Sequence, residues 1–69
     1  MIRLIVRFPD SRAFVIQLSD ETDPAVRLPI GRIEHVESGL RARFASQEEI
    51  WAFIERILAR EAQREEESR

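Results

Sequence analysis

Between Gly31 and Ile57 the chain spells strand, turn, strand, helix cap and amphipathic helix, with almost no residues left over. Ser38 and Gly39, taken as the two central residues of a hairpin turn, pair Glu37 with Leu40, His35 with Ala42, and Ile33 with Phe44 on one face. On the other face Val36 then opposes Arg41 and Glu34 opposes Arg43, an opposite-charge pair worth roughly 0.2–1 kcal/mol. This register turns Ile33, Ala42 and Phe44 inward; a one-residue slip would invert every side chain. Ser46 with Glu49 forms a capping box, the serine accepting from a first-turn amide and Glu49 reaching back to the Ser46 amide. Ile50, Phe53, Ile54, Ile57 and Leu58 follow at helical spacing, an apolar stripe about three turns long.

The residues upstream read as two more strands. In residues 2–8, Ile2, Leu4, Val6 and Phe8 alternate with Arg3, Ile5 and Arg7, a period of two in β-branched and aromatic residues. Pro9, Asp10, Ser11 and Arg12 supply a turn. Residues 13–19 alternate again, with Phe14, Ile16 and Leu18 on the inner side. The loop over residues 20–27 gathers Asp20, Glu21 and Asp23 before Pro24, but lacks the glycine and spaced oxygen ligands of a calcium loop, so it reads as solvated. Pro29 cannot donate to a ladder, which makes the pairing there edge-like. The expected fold is α+β: a four-stranded antiparallel sheet, a meander of two hairpins, with one C-terminal amphipathic helix packed on one face. A single ββββα domain spans residues 1–62, and residues 63–69 are expected to be a frayed helix end or disordered charged tail.

Composition narrows the function. Sixty-nine residues place the chain near the lower size limit for one hydrophobic core, with little room for a deep substrate cleft. The absence of cysteine excludes disulfides, thiolate chemistry and sulfur-ligated zinc. Oligomerisation then remains as a route to more buried area. No segment approaches the roughly 20 apolar residues of a membrane span, and the N-terminal stretch lacks the unbroken apolar run of a signal peptide. A cytoplasmic protein without membrane attachment is expected. The net charge of −2 is uneven, with seven arginines against six acidic residues through position 44 and four against seven beyond it. An acidic helix on a near-neutral sheet lacks the concentrated basic surface that drives nucleic-acid affinity.

The run Gly31-Arg32-Ile33-Glu34-His35-Val36-Glu37-Ser38-Gly39, then Arg43-Phe44, then Ser46 with Glu48-Glu49 and Phe53-Ile54, resembles a group of small uncharacterised bacterial proteins. Their shared pattern is a strand, a Gly-Arg-Ile/Val-Glu-His-Val-x-Ser-Gly hairpin and a capped C-terminal helix. Ile30 stands where that group commonly has an aromatic, and residues 1–12 look like an added strand. The resemblance implies a fold and a bacterial origin, and no activity or binding residues.

No serine has a base at nucleophile spacing in the sequence, and Gly31 and Gly39 stand apart rather than forming a phosphate loop. His35, the one histidine, points inward in the derived register; a catalytic or metal-binding histidine needs partners that the sequence does not place beside it. It reads as a half-buried ring bonded to backbone or to Glu37. An enzyme, a cofactor and a small-molecule substrate are therefore not expected. The outer sheet face is the candidate surface: Arg3, Ile5, Arg7, Val15, Gln17, Arg32, Glu34, Val36, Arg41 and Arg43, with Trp51 on the helix closing the core edge or anchoring a contact. Arginines among aliphatics suit a protein contact. The expectation is a non-enzymatic protein-interaction or regulatory module, homodimeric or bound to another protein through the outer face or an edge strand. A weak nucleic-acid binder using the same arginines is the second reading; the face lacks the aromatics on which bases stack.

Overall fold

The structure, a computed structural model, describes residues 6–67. Asp10–Arg12 forms one turn of 3-10 helix, followed by three strands, β1 (Phe14–Leu18), β2 (Gly31–His35) and β3 (Arg41–Phe44), and by one helix, α1 (Gln47–Glu67). The strands form an antiparallel meander in the order β1-β2-β3, and α1 packs across β2 and β3. The chain is thus α+β with a C-terminal helix on a three-stranded sheet. A fourth strand is not shown: residues 1–5 lie outside the described residues, and Val6, Arg7 and Phe8 belong to no strand. The expected hairpin turn at residues 9–12 is instead the 3-10 turn, closed by the Arg12 amide on the Pro9 carbonyl and the Ala13 amide on the Asp10 carbonyl.

The β2–β3 register differs by two residues from the expected one. Gly31 pairs with Phe44, Arg32 with Arg43, Ile33 with Ala42 and Glu34 with Arg41. Four residues, Val36 to Gly39, form the turn, held by His35 N–H to the Leu40 carbonyl and Gly39 N–H to the His35 carbonyl, both at 2.8 Å. A two-residue turn with glycine second needs positive φ at both central positions. Only Gly39 of the pair has it, at 75°, and the longer turn needs only one left-handed residue. Because the slip is two and not one, each residue keeps its face while its partner changes.

Ile33, Phe44, Phe53 and Ile57 make the buried core, with Phe14, Ala42, Ile50 and Ile54 packed against it. Phe14 crosses edge-on to Phe53 with ring centroids 6.2 Å apart. Ile16 and Leu18, expected inward, share the helix side of the sheet but are about half exposed, and Val6 and Phe8 are more exposed still. The reason is geometric, since α1 lies over β2 and β3 and leaves most of β1 uncovered. Gly31 is required where β1 and β2 meet: a Cβ there would lie 2.2 Å from the Gln17 carbonyl oxygen.

The cap forms as a variant of the expected box. The Glu49 amide donates to Ser46 Oγ at 3.2 Å, while the Glu49 carboxylate accepts from the Ala45 amide at 3.3 Å rather than from that of Ser46. In the loop before β2, Thr22 Oγ1 donates to the Ile30 carbonyl and accepts from the Ile30 amide, clamping the loop base from one side chain. Asp23 turns its carboxylate to the Ala25 amide. Among the described residues no three acidic, histidine or cysteine side chains gather where a metal ion could sit, and no helix is long and apolar enough to cross a membrane.

Candidate functional site

The register fixes how the outer face is arranged. One row runs Val15, Glu34, Arg41 and the next Gln17, Arg32, Arg43, while Val36 joins Ala13 through its amide. Arg32 Nε donates to Gln17 Oε1 at 2.8 Å, and Arg41 Nε lies 3.7 Å from Glu34 Oε1. The structure places Val15, Arg32, Glu34, Val36, Arg41 and Arg43 on one face, where Glu34 meets Arg41 and Arg43 faces Arg32. That like-charge neighbour repels where the expected partner would attract. Arg7 is exposed and off the sheet, and Arg3 and Ile5 lie outside the described residues. The side-chain bonds within each row engage guanidinium groups that a phosphate would otherwise have to recruit.

A second surface lies along β1. Its bonds to β2 run through alternate residues, as the Val36 amide on the Ala13 carbonyl and the Ser19 amide on the Ile30 carbonyl show. Antiparallel geometry then turns the N–H and C=O groups of Phe14, Ile16 and Leu18 toward the opposite edge, where no strand pairs among the described residues. Above this edge, Trp51, Ile54, Leu58 and Glu61 fall at i, i+3, i+7 and i+10 and form one row along α1. Glu61 accepts from Ser11 Oγ at 2.9 Å and stands beside Arg12, just ahead of β1, so the row runs down the β1 side of the helix. Trp51 is 57% exposed and stands out from the core rather than closing its edge. Among the described residues, Ile16 and Leu18 of β1 and Trp51 of α1 thus leave apolar surface exposed on this side of the fold. Leu18 also opens onto a hollow of about 590 Å³ shared with Ile30, Gly31, Phe44 and Ala45.

A third feature surrounds His35, which is 7% exposed. Nε2 lies 2.7 Å from the Ser11 carbonyl oxygen. A carbonyl can only accept, so Nε2 carries the hydrogen, and in the neutral ring Nδ1 accepts from Ser38 Oγ at 2.7 Å. Ser38 Oγ in turn accepts from the Leu40 amide at 3.2 Å. The Phe14 ring packs 5.0 Å from the imidazole, centroid to centroid. An open hollow of about 310 Å³ adjoins this group, with Ile57, Arg60, Glu61 and Arg64 on its helix side. The sequence reads His35 as half-buried and bonded to backbone or to Glu37; the ring is buried, one bond goes to the Ser11 carbonyl, and the other goes to Ser38 while Glu37 is exposed. Sequence reasoning missed Ser11, Ser38 and Glu61, whose contacts span up to fifty residues; only the i, i+3 spacing of His35 and Ser38 in a turn signalled any of them.

No family model, curated protein or solved structure matches this chain.

Proposed function

We propose that the chain is a small protein-interaction module that binds through the β1 edge and the apolar strip above it, and that it performs no catalysis. One observation carries the reading: among the described residues no strand takes up the outward backbone donors and acceptors of Phe14, Ile16 and Leu18, and Ile16 and Leu18 on that strand are about half exposed. Edge strands recruit other chains by main-chain hydrogen bonding, and adjoining apolar side chains add area and specificity. The outer-face residues Val15, Arg32, Glu34, Val36, Arg41 and Arg43 border the same strand and form the contact's polar flank. His35 acts in this reading as a fastener, because both its ring nitrogens are already bonded and the ring is buried.

The test compares what the immobilised chain retains, itself included, with Ile16→Lys and with Arg41→Ala/Arg43→Ala. Polypeptides bound by the parent chain and by the double arginine variant, but lost with Ile16→Lys, support the reading. Retention of single- or double-stranded nucleic acid that weakens steeply with salt and vanishes in the arginine variant would replace it with phosphate binding.

A further inference from the structure

We propose that the partner at this edge is a second copy of the chain, with Phe14–Leu18 of two copies pairing antiparallel about a two-fold axis at Ile16. The proposal rests on the reading that the β1 edge is the working surface and names its occupant.

The two edges of the sheet differ in chemistry. β3, at one edge, carries Arg41 and Arg43 in a strand of four residues, the kind of charge that keeps a natural edge from pairing. β1, at the other, reads Phe-Val-Ile-Gln-Leu, with no charge, no proline and no bulge in its pairing with β2. It is the unguarded edge. Its outward-pointing backbone groups belong to Phe14, Ile16 and Leu18, so an axis at Ile16 sets Ile16 against the partner's Ile16, and Phe14 against the partner's Leu18, each as a hydrogen-bonded pair. This contact is self-complementary and closes at two copies.

Charge favours the same arrangement. Stacking two outer faces would bring Arg32, Arg41 and Arg43 of one copy toward the same arginines of the other. Pairing the β1 edges brings no charged residue of the strand opposite another. The product is a six-stranded sheet with both helices on one side. The inner side chains of β1 from both copies form a shared floor, and the two rows beginning at Trp51 face each other across it. Among the described residues upstream, Val6 and Phe8 are 67% and 90% exposed and do not cover this floor. Among the described residues four form the buried core, and joining two such strips adds apolar burial that one copy lacks.

Because the chain contains no cysteine, Ile16→Cys carries a lone thiol. The Cα atoms of a hydrogen-bonded antiparallel pair lie about 5.5 Å apart, within the span of about 4.4–6.8 Å that a disulfide bridges. Mild oxidation is expected to convert this variant to a covalent dimer, while Val36→Cys on the outer face stays single. Light scattering on a sizing column is expected to give twice the chain mass for the parent. Ile16→Lys, at an exposed position where the monomer fold tolerates charge, weakens association by on the order of a hundredfold; circular dichroism checks that it remains folded. A parent chain that stays monomeric into the millimolar range overturns the proposal, as does a dimer that survives Ile16→Lys unchanged. If the parent is monomeric but retains other polypeptides that Ile16→Lys loses, the second copy is the wrong occupant and the interaction reading stands.

Discussion

His35 shows how one side chain fastens three segments. Its Nε2–H holds the carbonyl of Ser11 in the 3-10 turn, its Nδ1 takes the Ser38 hydroxyl from the β2–β3 turn, and its ring lies against Phe14 on β1. Removing it leaves the Ser11 carbonyl without this donor and the Ser38 hydroxyl with the Leu40 amide alone, in a partly buried site. His35→Ala is therefore expected to cost about 1–3 kcal/mol in urea unfolding, and Ser38→Ala about 1 kcal/mol. The pair of variants should cost less than the sum, because they share a bond. The inward direction of His35 was legible from alternation alone. The identity of its partners was not, since Ser11 is twenty-four residues away and its carbonyl is offered only once the 3-10 turn has formed.

At the scale of elements, helix α1 and the strand faces follow local rules, and the register does not. Ser46 accepts the Glu49 amide as its spacing implies, so Ser46→Ala is expected to lower stability by roughly 0.5–2 kcal/mol, read as a lower thermal midpoint. Ser-Gly as a complete turn implies a register two residues away from the one the hairpin adopts. Ser38 spends its hydroxyl on His35 and the Leu40 amide, a use that extends the turn to four residues and reassigns every cross-strand partner. Glu34 and Arg41 gain a bond exposed enough to contribute about 0–1 kcal/mol, and Arg32 leans away from Arg43 onto Gln17.

For the whole molecule, the helix is long enough to cover the sheet but is placed over β2 and β3, with β1 largely bare. A chain whose folded form gains area by pairing is stabilised by mass action. The thermal midpoint is accordingly expected to rise as protein concentration increases, and the Ile16→Lys variant to lose that dependence; calorimetry over a hundredfold concentration range, roughly the span over which linkage shifts stability by a few kcal/mol, reads both.

Taken alone, the order of residues determined the helix with its cap and stripe, the period-two strands β1, β2 and β3, and which side of each of these faces the core; the strand expected over residues 2–8 is not shown. Those properties depend on neighbours within a few positions, where backbone periodicity and capping chemistry decide. Tertiary structure alone decided the register, the partners of His35, and where along the sheet the helix lies. Each depends on contacts between segments far apart in the chain, which local spacing does not encode. The candidate surface moved accordingly. Alternation pointed to the arginine-bearing outer face, whereas the placement of α1 leaves Ile16 and Leu18 about half exposed on the inner face of β1, whose outer edge no strand pairs among the described residues.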